Sequence, residues 1–200
     1  MPKLQEAALK ELHPTQLTAG MIVVQDKRKH LAGMSPVDRQ KFMKAHAMPA
    51  VIGPKGRLYI TDHHHLGRAA LEAGIVNGFF EVEADLSKCT LEAFWKEMNE
   101  NLWVHPLDEN GVRHHYPMIP DSLGRLVDDV YRSVAGYVRD AGGFDKTPKA
   151  FAEFIWADFF RRNIAIETVR SDFPTAVQAG ISLAQSKWAK NIPGYNGKKA

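Results

Sequence analysis

Residues 48–71 read MPAVIGPKGRLYITDHHHLGRAAL, a run that few folds accommodate. Two short apolar stretches, Ala50–Ile52 and Leu58–Thr61, flank Gly53-Pro54-Lys55-Gly56. Glycine reaches positive φ without steric cost and proline fixes φ near −65°, so the four residues predict a hairpin-like turn between two strands. From about His65 the pattern LGRAALEAG turns helical, with Gly74 as its C-cap. A strand must therefore pass into a helix across Asp62-His63-His64-His65. Free backbone N–H groups and the helix dipole make such a junction attractive to anions.

The neighbouring patterns predict a mixed unit. Met21–Val24 (MIVV) reads as a short strand and Gly78–Ala84 as an alternating one. Ser35, Pro36 and Asp38 form an N-cap, first-turn proline and N3 acid for a short helix. Past about Thr90 the periodicity becomes helical. Leu91, Phe94, Trp95, Met98 and Leu102 share one face. A second helix is expected from a Ser122 cap to Gly142–Gly143, with Leu123, Leu126, Val127, Val130, Val134 and Val138 as its stripe. A third starts at Thr147 and Pro148 with Phe151, Phe154, Ile155 and Phe159 inward, and a last covers part of Phe173–Lys190 before a frayed IPGYNGKKA tail. The expectation is an α+β chain: a mixed α/β unit over residues 1–88 and an all-helical region over 89–200.

Composition bounds the function. The 44% hydrophobic and 24% charged content is that of an ordinary globular chain, without an apolar run long enough for a membrane span or a signal core. A cytoplasmic location is expected. The lone Cys89 has no disulfide or zinc partners. A net charge of +3 suits a phosphate-bearing ligand and is mild for a nucleic-acid binder. The local run QDKRKH reads either as a solvated loop or as a phosphate-binding rim using Lys27 and Lys29.

Three consecutive histidines cannot all point one way, and helical metal pairs need spacings of three or four. A single-metal site from this run alone is not expected. Asp62 is placed to cap the helix, with imidazoles and Arg68 near the same N-terminus. A second polar concentration, WVHPLDENGVRHHYPMIPDS, gathers His105, Asp108, Glu109, Arg113, His114 and His115 in a long connection. Connections of that length are functional or solvated.

The order strand, Asp-x-His-His, alanine-rich helix, preceded by the Pro-Thr segment HPTQL and by MPAVI, resembles the ParB/sulfiredoxin superfamily. More narrowly it resembles the ParB-like putative nuclease family, over roughly His13 to Val82. Related members carry Asp-Gly-His-His-Arg, whose backbone and basic side chains hold nucleotide phosphates. Asp62, His64 and His65 match; His63 replaces the glycine and Leu66 the arginine. The resemblance implies catalytic roles for Asp62, His64 and His65 and ligand contacts from His63, with Arg68 in place of the lost arginine; Lys27 and Lys29 of the basic run are the further candidate ligand contacts. It also implies a nucleotide (ATP, ADP or CTP), a divalent metal such as Mg²⁺ and a small phosphate-bearing ligand. No cysteine stands in the box, against sulfiredoxin chemistry. Where kinase relatives use an N-terminal acid as base, Gln16 stands here, with Asp26 the nearest acid. Three function classes follow: a phosphotransferase or phosphoester hydrolase, a ParB-like nuclease or DNA-associated protein, and a non-catalytic helical interaction module.

Overall fold

In the computed structural model, which describes residues 4–197, the chain forms two compact units. One comprises residues up to Ala19 together with Val24–Val127; the other comprises Gly20–Val23 and residues from Asp128 onward. The architecture is α+β.

The first unit is built on a five-stranded mixed sheet. In chain order its elements are β1 (Leu4–Ala8), β2 (Leu12–His13), β3 (Thr18–Ala19), α1 (Met21–Gly33), α2 (Pro36–Ala45) and β4 (Met48–Ile52). β5 (Leu58–Ile60), α3 (His64–Glu72), β6 (Asn77–Asp85) and α4 (Leu91–Glu100) follow. The strand order is β1-β6-β4-β5-β2, while β3 and a later two-residue strand, β7 (Val127–Asp128), form a small second sheet. β4 and β5 pair antiparallel as the expected hairpin, closed by the Gly53 N–H donating to the Arg57 carbonyl at 2.8 Å. β4 and β6 are parallel, so a crossover must join the hairpin to β6, and α3 supplies it. Leu66, Gly67, Ala69 and Ala70 of α3 are buried. A methyl group on Gly67 would lie 3.0 Å from Leu123 Cδ1 and 3.2 Å from Met48 Sδ, so the small residue permits this approach.

Several expectations change. Met21–Val24 is not a strand but the start of α1. The Asp128 carboxylate accepts from the Met21 N–H at 2.9 Å, capping the helix from far along the chain, and outweighs the local β preference of valine. The run QDKRKH is accordingly helical. On α4, Phe94 and Met98 are buried with Val51, Tyr59 and Val104, whereas Leu91 is exposed, as is Leu102, which lies past the end of the helix. That burial binds α4 to the sheet within the first compact unit, which extends to Val127. Half-buried Cys89 packs on the edge of the same cluster.

The expected continuous helix from Ser122 is broken. Ser122 caps only a 3-10 turn, and the helix proper, α5 (Val130–Asp140), begins after an Asp129 cap. The reason is tertiary: Arg68 Nη1 donates to the carbonyls of Leu123 and Leu126 at 3.1 and 3.3 Å. Val127 is left exposed.

The second unit is helical: α5, α6 (Ala152–Asn163), α7 (Ile166–Ser171) and α8 (Phe173–Ala184). Trp156, Phe160, Val134, Val138, Ala176 and Ala184 fill its core, with Phe144 stacked on Trp156 at 4.2 Å. α6 starts later than Thr147 suggests, after a left-handed Phe151. Arg132, 4% exposed, lies 3.6 Å from the Phe154 ring centroid, and Arg161 meets the Asp129 carboxylate at 2.6 Å. The tail expected to fray is tied down as far as Asn196. Trp156 donates to the Pro193 carbonyl at 2.8 Å and the Asp145 N–H to that of Gly194 at 2.7 Å. Lys198–Ala200 lie outside the described residues.

Candidate functional site

β5 ends at Ile60, and Thr61 is fixed on both sides: its N–H donates to the Pro49 carbonyl at 2.9 Å and its hydroxyl to Glu83 at 2.6 Å. The chain then turns within two residues. Asp62 is exposed and accepts from the His63 N–H at 2.6 Å. His63 adopts φ 62°, ψ 25°, the left-handed conformation that glycine favours, and serves as the N-cap of α3. This is the position where the family box carries glycine. No side chain caps α3, contrary to the capping role expected of Asp62. The first-turn N–H groups of a helix have no intrahelical acceptor, so this end attracts negative charge.

His64 points inward and is 2% exposed. Its Nε2 accepts from the Thr15 N–H at 3.0 Å, so the ring is neutral and carries its proton on Nδ1. The Gln16 carboxamide lies 2.7 Å from that Nδ1. Proton balance places the carboxamide oxygen there, accepting from Nδ1–H. Thr15 and Gln16 are themselves buried, and the Thr15 hydroxyl donates to the Ile60 carbonyl at 2.9 Å. Pro14-Thr15-Gln16 thus clamps the turn from the neighbouring β2 side. His64 is thus held at both ring nitrogens, while His63 and His65 are half-buried on either side of it.

Beside this clamp, His13 stacks on Tyr59 at 5.0 Å between ring centroids. Burial pushes its imidazole below the ordinary value, and the Arg57 charge adds to this, with Asp121 acting the other way. The long connection also arrives here: the His105 N–H donates to the Thr15 carbonyl at 2.9 Å, and Gln16 and His105 form a parallel bridge. The loop beyond closes on itself. His114 Nε2 meets Asp108 Oδ2 at 2.8 Å, Leu107 bridges Arg113, and Tyr116 stacks on Trp95 at 5.2 Å. Of the loop's three histidines, His105 is the one bonded to the clamp.

Other expected ligands sit elsewhere. Arg68 Nε donates to Glu72 at 2.5 Å and Nη1 to the two carbonyls already described, so its cation is engaged inside the unit. Lys27 and Lys29 are exposed on α1. Two residues earlier, Gln25 bonds Glu72 at 3.2 Å, so α1 meets the C-terminal end of α3. That end is about 12 Å from the histidine turn at 1.5 Å per residue. Among the described residues no three His, Cys, Asp or Glu side chains gather as a metal cage. Asp62 is the single carboxylate of the turn. His13 and Thr15 lie around the turn without having been singled out in the sequence, Gln16 stood out there only as the residue in place of an acid, and His105 only as part of the long connection; the HPTQL segment gives no hint of a partner 49 residues away.

A comparison with curated proteins returns no match. A family model described as "Putative ParB-like nuclease" matches residues 5–162. Among solved structures the chain is similar to the crystal structure of protein Atu1540 from Agrobacterium tumefaciens. The two are 35% identical with a TM-score of 0.93, and the match covers 100% of this chain and 99% of that one. The mixed sheet, the strand–Asp-x-His-His–helix turn and a family match spanning most of the sequence agree: this chain belongs to the ParB-like putative nuclease family.

Proposed function

We propose that this protein binds and hydrolyses a phosphoester at the Asp62–His65 turn, with nucleic-acid phosphodiesters as the substrate class. The reading rests on one observation: the N-terminus of α3 is uncapped and entered through a left-handed His63, while His64 is locked inward by Thr15 and Gln16. Backbone N–H groups and the helix dipole would hold phosphate oxygens there. Membership of a family described as nucleases supports the phosphodiester over a transfer between small molecules.

The roles divide by orientation. His64 keeps the turn in place. His63 and His65 flank it as the proton-handling groups, since an imidazole ring has one nitrogen that accepts a proton and one that donates it. In hydrolysis water attacks phosphorus and gives up a proton, the phosphorus–oxygen bond to the leaving group breaks, and the departing oxygen takes a proton. One imidazole would serve as base and the other as acid. Asp62 would orient His63 through the N–H it already holds.

The test is a thermal-shift series with inorganic phosphate, ATP, ADP and CTP, with and without Mg²⁺, beside hydrolysis of bis(p-nitrophenyl) phosphate. A ligand that binds the native state raises Tm. The expected result is a phosphate-dependent rise that His65→Ala and Asp62→Ala diminish, and hydrolysis that His63→Ala and His65→Ala abolish. No Tm change with any phosphate would overturn the reading. Binding without hydrolysis in the parent would reduce it to a phosphate-binding protein.

A further inference from the structure

We propose that the α1–α2 hairpin is a docking face for the phosphate backbone of duplex DNA, a surface that rests on the phosphodiester reading of the Asp62–His65 turn. The chain holds 26 Lys and Arg against 23 Asp and Glu; six of the former and two of the latter lie between Asp26 and His46. That segment therefore carries +4, and the rest of the chain, with 20 basic and 21 acidic residues, carries −1. The protein's positive charge is concentrated on one supersecondary unit.

The charges face solvent. Lys27, Arg28, Lys29, Lys41 and Lys44 are exposed, and the pairing of Lys29 with Asp26 is long, 3.8 Å, with both side chains largely in water. Lys41 and Lys44 are three apart on α2 and share an edge. The sixth cation, Arg39, holds the hairpin together: its Nε donates to the Leu31 carbonyl at 3.0 Å and its Nη2 to that of Met34 at 3.1 Å. Phe42 locks the helices further, with the His46 ring stacked on it at 4.0 Å and the His30 ring edge-on at 5.6 Å. A rigid cluster of like charges repels itself, and a polyanion relieves that repulsion.

Three features select the partner. Single-strand binders offer open aromatic platforms for bases, and here the hairpin's one aromatic ring is covered by two imidazoles. Val37 is the one large apolar side chain exposed on α1 or α2 among the described residues, so the hairpin has no apolar face to enter a membrane. α1 also lies against the end of α3 remote from the histidine turn. That end lies about 12 Å along α3 from the turn, a separation that a duplex advancing 3.4 Å per base pair covers in a few steps.

The test is fluorescence anisotropy of a labelled 20-base-pair duplex, in EDTA, over a series of salt concentrations. The parent is compared with Lys27→Gln/Lys29→Gln/Lys41→Gln/Lys44→Gln, with the matching four-arginine variant, and with Lys96→Gln/Lys187→Gln as a surface control. Removing one lysine–phosphate pairing should weaken binding about eightfold at 0.1 M salt and flatten the log–log salt slope by about 0.9. The arginine variant and the control should bind like the parent. The proposal is overturned by a glutamine variant with the parent's affinity and slope, by no duplex binding at 50 mM salt, or by tighter binding of single strands, duplex RNA or anionic vesicles. Inorganic phosphate should raise Tm equally in parent and glutamine variant. If that response survives while duplex binding fails, the hairpin proposal alone falls; if the parent lacks it, the reading of the turn falls.

Discussion

His64→Ala should destabilise the first unit rather than simply remove a ligand. The imidazole is 2% exposed and accepts the Thr15 N–H at 3.0 Å, while the Gln16 carboxamide meets its other nitrogen at 2.7 Å. Alanine leaves the Thr15 N–H buried without an acceptor, which costs about 1–3 kcal/mol. The space vacated by the ring adds roughly 1–2 kcal/mol, because surrounding side chains collapse only in part. A total of about 2–5 kcal/mol is expected. The assay is urea denaturation together with hydrogen exchange at the Thr15 amide, which isolates the clamp from the helical unit. The Thr15 amide should lose protection in the variant. His64→Gln places a carboxamide oxygen near the old Nε2 and should recover part of the loss. A destabilisation below about 0.5 kcal/mol with unchanged Thr15 exchange would refute the clamp.

His63→Gly should leave the protein as stable as the parent or up to about 1 kcal/mol more so, because it relieves a left-handed residue at the expense of unfolded-state entropy. A clear loss in urea melts would mean that the imidazole itself packs the turn. Arg68→Ala should cost about 1.5–3 kcal/mol through the lost bonds to Glu72, Leu123 and Leu126, with faster hydrogen exchange across residues 123–127. An undisturbed 123–127 segment would sink that assignment. Burial alone would raise the Asp108 carboxyl, but hydrogen bonds from His114 and from the Val112 and Asn110 amides together hold it below the usual range. Stability from a depressed carboxylate is complete above its unfolded pKa, about 3.9, and is lost as pH falls through the lower folded value. The Val112 amide, which donates to Asp108 at 2.8 Å, should therefore lose protection only in strong acid, and Asp108→Asn should loosen it at neutral pH. Equal protection of parent and variant at neutral pH would show that the loop is held by other contacts.

Local chemistry was legible in the chain itself. The GPKG hairpin, the Ser35 cap, the onset of helix past Thr90 and the strand-to-helix passage at Asp62–His65 all depend on neighbours within a few residues, where backbone sterics and capping act. The family box belongs with these, because its turn needs a left-handed residue at one fixed position. Tertiary structure decided what depended on distant partners. Met21–Val24 became helix because Asp128 caps it, and the 123–129 segment broke because Arg68 took its carbonyls. Of three adjacent histidines, His64 became the buried one because Thr15 and Gln16, 49 and 48 residues away, bond both its ring nitrogens. Sequence order carries the periodicity and the caps, but a buried polar group is held by whichever donor the fold brings within about 3 Å. The chain named the histidines; the sheet that sets β2 beside β5 determined which of them faces inward.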